Sequence, residues 1–200
     1  SGWCTAYQKL LDLAVDDSVP GVVEVFVNVS NIRPKGEPLK GFGGVANPNN
    51  IDGLFSRCAN ILNGAVGRQL NSVECWLLVD EAMLEVVAGA IRRSAGIKES
   101  TSDDKLFIDA KKGLWVQGDD GSWAIDPKRD ALRMSNATAL FFKKPTEKEC
   151  IDSVRTQYYS GEGAIKWVGE SIKRCNKDVI NTPELERSFL EAYEQGKTRE

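Results

Sequence analysis

The stretch NIRPKGEPLKGFGGVANPNN, residues 31–50, decides how this chain is read. It carries glycine at Gly36, Gly41, Gly43 and Gly44, proline at Pro34, Pro38 and Pro48, and basic side chains at Arg33, Lys35 and Lys40. Glycine admits positive φ and proline lacks an N–H, so the segment is neither helix nor regular strand. Before it, VVEVFVNVS (residues 22–30) alternates apolar side chains with Glu24 and Asn28, which predicts a strand. After it, a helical pattern begins near Asn49. Strand, glycine-rich basic loop and helix N-terminus together suit a phosphate, through bare backbone N–H groups, a helix dipole and nearby cations. An ordinary surface connection has the same composition, so the loop alone leaves both readings open.

Working outward, 200 residues set the scale of one domain or two small ones. A composition 42% hydrophobic and 28% charged is that of a globular protein able to bury a core. The net charge of -3 argues against a duplex-DNA binder that relies on bulk electrostatics. No apolar run reaches membrane-span length, and the first residues lack the basic and apolar regions of a signal peptide. The expectation is a cytoplasmic protein that engages neither nucleic acid nor membrane.

Five cysteines, at Cys4, Cys58, Cys75, Cys150 and Cys175, are odd in number and widely spaced. This predicts mostly buried thiols in a reducing compartment rather than a disulfide framework. The chain has no histidine. That excludes Ser-His-Asp and Cys-His nucleophile systems, H-E-x-x-H metalloproteases and any zinc site needing imidazole within this sequence. No metal site is predicted.

Periodicity predicts helices over 7–15, 52–66, 73–88, 165–175 and 182–197, the third apolar almost all round and so enclosed on several sides. Gly89 reads as the glycine that ends the third helix, with a short strand following it. The Ser/Thr/Asp group at 100–104 caps a short helix around Leu106, Phe107 and Ile108. Residues 113–126 form a hairpin, with Trp115-Val116 and Trp123-Ala124-Ile125 flanking the turn Asp119-Asp120-Gly121. Residues 133–142 read as a strand. Thr146 and Glu149 form a capping box that opens a further helix. Helices between strands imply an α/β fold with partly parallel strands.

Arg92 and Arg93 are adjacent, so on extended backbone they face opposite ways. One arginine gripping phosphate while its neighbour pairs with Glu85 or Asp104 is one reading, and two solvated charges is the other. Trp115 and Trp123 could stack a base, but a structural cross-strand pair is the better account. Asp103-Asp104 and Asp119-Asp120 are explained by a helix cap and a turn without a metal.

At this point the segments carry a family resemblance. NIRPKGEPLKGFGG, VVAGAIRRSAGI with SDDKLFIDAK, RMSN and YYSGEGAI, in that order and spacing over 22–199, resemble adenosylcobalamin-dependent (class II) ribonucleotide reductases. The best match is the ribonucleoside-triphosphate reductase type, as in cyanobacteria. The resemblance implies reduction of ribonucleotides to 2′-deoxyribonucleotides by a thiyl radical, with adenosylcobalamin as cofactor and a thioredoxin-type reductant. It implies a ten-stranded α/β barrel, of which residues 1–200 would form a single helix-rich domain, roughly one half-barrel plus helices.

Arg33, Lys40, Gly41, Gly43 and Gly44 then correspond to the first specificity loop, which holds the phosphates of a deoxynucleotide effector. Gly89, Ala90, Ile91, Arg92, Arg93 and Ser94 correspond to the second, between effector and substrate base. The family's N-x-C-x-E loop, with its radical cysteine and glutamate, is absent from the sequence. No catalytic residue is therefore assigned, none of the five cysteines takes a radical role, and the isolated chain is expected to be inactive. Unpaired barrel edges imply self-association or rearranged helices. The rival expectation is a non-catalytic module, derived from the same ancestor, that binds nucleotide phosphates or a protein partner.

Overall fold

Two reciprocal capping boxes set the frame of the molecule. In the computed structural model, which describes residues 2–19, 21–38, 45–46, 49–85, 96–175 and 180–197, each box opens a principal helix. The described residues group into two compact units, one within 1–96 and 114–135, the other within 97–113 and 136–200.

The first unit begins with α1 (Gly2–Ala14), α2 (Asn49–Asn63) and α3 (Ser72–Leu84). Along α2, Leu54, Phe55 and Cys58 recur at helical spacing and are buried with Ile51, Leu10 of α1 and Leu78 of α3. Each large apolar side chain enclosed this way contributes roughly 1.5–3 kcal/mol. At the start of α3 the Asn71 side chain accepts from the Glu74 N–H, and the Glu74 carboxylate accepts from the Asn71 N–H, each at 2.9 Å. Trp76, Leu77 and Leu78 are buried together with Asp80 and Glu81, so α3 is enclosed on several sides, as its apolar pattern predicts. The helix ends at Leu84, with Glu85 as its C-cap; the predicted stop at Gly89 lies outside the described residues. The hairpin β2 (Trp115–Gln117) and β3 (Trp123–Ile125) and a 3-10 turn (Asp130–Met134) complete this unit, the turn burying Leu132 and Met134.

The predicted strand over 22–29 is not one. Those residues have no regular secondary structure, and Val22 and Phe26 stand exposed while Val27 and Val29 pack on the first core. Alternation encodes an extended tendency, but a strand needs a neighbour to take its N–H and C=O groups. Among the described residues none pairs with this segment.

The second unit holds a three-stranded sheet of order β1 (Gly96–Thr101), β4 (Ser135–Phe141), β5 (Ala164–Trp167). β4 and β5 run parallel, with Thr138 opposite Ala164 and Phe141 opposite Trp167. Helix and sheet thus mix with parallel pairing, as an α/β reading requires. Asp104 caps the short α4 (Lys105–Ile108) by accepting from the Phe107 N–H at 3.0 Å. Thr146 and Glu149 close the box on α5 (Glu147–Ser160), which stops at Gly161, where φ is 74° and the left-handed conformation suits glycine. α6 (Val168–Lys173) and α7 (Pro183–Glu194) follow, and Leu140, Val168, Ile172 and Ile180 form the core with Phe189, Leu190 and Tyr193 packed against them.

The predicted helix over 165–175 is corrected in its first three residues. Ala164–Trp167 is strand, because the edge of β4 offers a full parallel ladder, and helix begins only at Val168. The cysteines also depart from expectation. Cys58 is buried, Cys175 is partly so, and Cys4, Cys75 and Cys150 are exposed. No described helix is long and apolar enough to cross a membrane.

Candidate functional site

The basic glycine stretch is built from its two ends. Pro34 to Glu37 form a turn closed by the Glu37 N–H to the Pro34 carbonyl at 3.2 Å, with Gly36 at φ 88°, a value that a turn of this kind demands of its third residue. The Gly36 N–H then donates to the Ala46 carbonyl at 2.9 Å, and the Ala46 N–H returns to the Glu37 carbonyl at 2.8 Å. A bridge between Pro38 and Val45 completes the closure. The two flanks of residues 39–44 are therefore pinned together, and α2 starts three residues beyond Ala46. Arg33 and Lys35 are exposed on this frame and make no hydrogen bond or ion pair with any described residue. Two uncompensated cations beside a closed loop can take an anion without first breaking a salt bridge.

Of the predicted phosphate ligands, Arg33 alone is described. Lys40, Gly41, Gly43 and Gly44 lie outside the described residues, as do Gly89, Ala90, Ile91, Arg92, Arg93 and Ser94. The supposed carboxylate partners of the paired arginines have other engagements. Glu85 accepts from Arg57, and Asp104 accepts from the Ser100 hydroxyl and the Phe107 N–H.

Arg57 was not legible as important, yet it organises the helices behind the loop. Its Nε donates to Glu81 at 2.5 Å and its Nη2 to Glu85 at 3.0 Å. Its guanidinium lies where a side chain on Gly53 would be, so a larger residue one turn earlier would make the guanidinium shift. Burial by itself lowers the Arg57 pKa, but hydrogen bonds and charge from Glu81, then Glu85, outweigh it and leave the group raised. Burial pushes the Glu85 carboxyl up, against the opposing pull of Arg57. Beside this clamp, the Tyr7 hydroxyl donates to the Leu78 carbonyl at 2.7 Å and contacts the Cys58 thiol. Burial, then the charge of Glu81, pushes that thiol up to about 12, so Cys58 is an inert core group. Asp80, fully buried, accepts from the Trp76 indole N–H at 2.6 Å and the Ser135 hydroxyl at 2.7 Å. The signal that could have exposed this network is the acidic pair Asp80-Glu81 inside an otherwise apolar helix.

Trp115 and Trp123 are both exposed and not directly opposed. Trp115 faces Ile125 and Trp123 faces Gln117, which puts the indoles diagonally on one face of the hairpin rather than in the expected facing pair. Asp120 accepts from the Ser122 N–H and hydroxyl, as a turn residue should. Among the described residues no three His, Cys, Asp or Glu side chains gather to hold a metal.

Sequence comparison adds the deciding observation. The chain aligns over 113 residues with adenosylcobalamin-dependent ribonucleoside-triphosphate reductases, at 36% identity in Levilactobacillus brevis, 34% in Lactobacillus helveticus and 33% in Lactobacillus acidophilus. The chain is related to these reductases. Each alignment covers 56% of this chain and 15% of the relative, so the chain spans a small part of the length of the proteins it matches. No protein-family model matches it, and no solved structure matches it significantly. The similarity agrees with the resemblance carried by the quoted segments.

Proposed function

We propose that this chain supplies nucleotide recognition within an adenosylcobalamin-dependent ribonucleoside-triphosphate reductase that converts ribonucleotides to 2′-deoxyribonucleotides through a thiyl radical. The observation that carries the reading is the 36% identity over 113 residues with a reductase of that name. In this reading Arg33 and Lys40 grip the phosphates of a deoxynucleotide effector, and the N–H groups of Gly41, Gly43 and Gly44 line the loop. Gly89, Ala90, Ile91, Arg92, Arg93 and Ser94 lie toward the substrate base. The exposed Arg33, which pairs with no described residue, and the pinned base of its loop support that role. β1, β4 and β5 belong to one half of a ten-stranded barrel, and a thioredoxin-type protein returns the reducing equivalents.

Adenosylcobalamin would supply the radical initiation in the intact enzyme. The corrin ring carries its own cobalt ligands, so neither the lack of histidine nor the lack of a described metal-ligand cluster bears on where it would sit. The cofactor is assigned to no residue of this chain, and no step is derived through it.

The test is a thermal-shift titration of the chain with dATP, dGTP and dTTP. A ligand that binds only the folded state stabilises by about 2.7 kcal/mol at a hundredfold excess over Kd. The expected result is a rise in Tm that Arg33→Ala with Lys40→Ala abolishes. No shift at millimolar nucleotide overturns the recognition role. Failure of adenosylcobalamin and the missing polypeptide to restore deoxynucleotide formation overturns the reductase assignment.

A further inference from the structure

The second unit carries a cationic site that the effector reading does not use. Trp167 is the last residue of β5 and caps α6, so it stands at the carboxyl end of the parallel pair β4–β5. Parallel strands in α/β sheets point their carboxyl ends at the crevice where ligands bind. Two lysines converge on its ring. Lys144, three residues past the end of β4, places its ammonium 5.9 Å from the ring centroid, and Lys173, at the end of α6, places its own at 5.6 Å. Each ammonium lies within cation–π range of the indole.

No described residue pairs with either ammonium. Of the carboxylates nearest in sequence, Asp178 lies outside the described residues and the others have their own places. Glu149 closes the capping box of α5, Glu170 accepts from Arg174 at 2.8 Å, and Glu147 sits in the first turn of α5 without reaching either lysine. Lys166, on the same strand as Trp167, is paired with Glu99. The indole is fixed as well. Its Nε1 lies so close to Gly169 that a Cβ there would come within 3.0 Å, so the ring is laid against the first turn of α6. A half-buried, fixed ring thus gathers two exposed lysines, at 5.9 and 5.6 Å from its centroid and neither paired with a described residue.

We propose that Lys144 and Lys173, held by Trp167 at the carboxyl ends of β4 and β5, form a binding site for the phosphate groups of a di- or triphosphate ligand, one that does not draw on Arg33. Two ammonium groups on one ring repel each other until an anion with several oxygens bridges them, which favours a polyphosphate over a single carboxylate. Lysine binds phosphate as a point charge, so the site selects charge rather than the identity of a base.

The experiment follows the indole N–H signals of the full chain by NMR during titration with pyrophosphate, with Trp167→Phe used to assign the Trp167 signal. Saturable movement of that signal is expected. Lys144→Met with Lys173→Met should weaken binding by about tenfold or more, while Arg33→Ala leaves it unchanged within twofold. Both lysines are exposed, so the double variant should keep the parent Tm, and Lys144→Arg with Lys173→Arg should restore most of the affinity. An unmoved Trp167 signal overturns the proposal. So does an equal response to sodium chloride at matched ionic strength, or a double variant that binds like the parent.

Discussion

Arg33 and Arg57 stand on either side of the same glycine loop and have opposite surroundings. Arg57 is held between Glu81 and Glu85, whose side chains are 5% and 7% exposed, and packs against Gly53. Arg33 is exposed and pairs with no described residue. A charge already matched inside the protein holds helices together and has little left for a ligand. A charge left unmatched at a pinned loop adds nothing to folding, and its positive field is available to an anion. Near a glycine loop, then, the compensated cation is structural and the uncompensated one is open to a ligand.

The comparison is broken most directly by removing the structural arginine. Arg57→Met leaves two carboxylates buried without their cation and should destabilise the fold by about 3 kcal/mol, measured by denaturant unfolding at pH 7. The loss should shrink on acidification. Burial already raises the Glu85 pKa, and without Arg57 it rises further. A carboxyl with a raised folded pKa favours the folded state when protonated, so its cost is absent below the ordinary value of 4.5 and appears as pH rises through the folded value. A pH-independent deficit in Arg57→Met would show that packing rather than charge makes the clamp.

A smaller effect tests whether a surface pair counts for anything. Arg68 and the Asn71 N–H hold the Glu74 carboxyl down to about 2. Its contribution is therefore present above 4.5 and lost as pH falls toward 2. Solvent around Arg68 limits the size, so Glu74→Gln, which keeps a capping group, should cost about 1 kcal/mol or less at pH 7 and nothing at pH 2. Asn71→Ala removes the other half of the box and should cost about 1 kcal/mol across that range, read from urea midpoints.

The smallest expected change in stability is at the recognition end. Arg33→Ala should alter unfolding free energy by no more than about 0.5 kcal/mol, as exposed positions do, while weakening nucleotide-dependent stabilisation. If Arg33→Ala proves as destabilising as Arg57→Met, the two arginines are not different in kind and the contrast drawn between them fails.

How much of this was legible follows from the range of the interactions. Thr146 with Glu149, Asp104 with the Phe107 N–H, and the Thr182 hydroxyl with the Leu185 N–H at the start of α7 are contacts across three residues, and each lies where its motif predicts. The hairpin around Asp119-Asp120-Gly121 is equally local. The misreadings at 22–29 and 164–167 share one cause. Whether an apolar alternating segment is strand depends on a partner elsewhere: Ala164–Trp167 has β4 beside it, and 22–29 has no described neighbour. Arg57 went unnoticed because its partners lie 24 and 28 residues away. The cysteines misled because a weakly polar side chain carries no record of which helix face will be covered.

Residue types at fixed short spacings set the caps and the turns and carry the resemblance to the reductases. Tertiary structure decided that Arg57 is clamped while Arg33 is not, that Ala164–Trp167 joins a parallel sheet, and that two lysines from separate elements meet on Trp167. The physical reason is common to all three. Charge compensation, strand pairing and cation–π contact depend on distance in space, and chain order fixes that distance only once the core has closed.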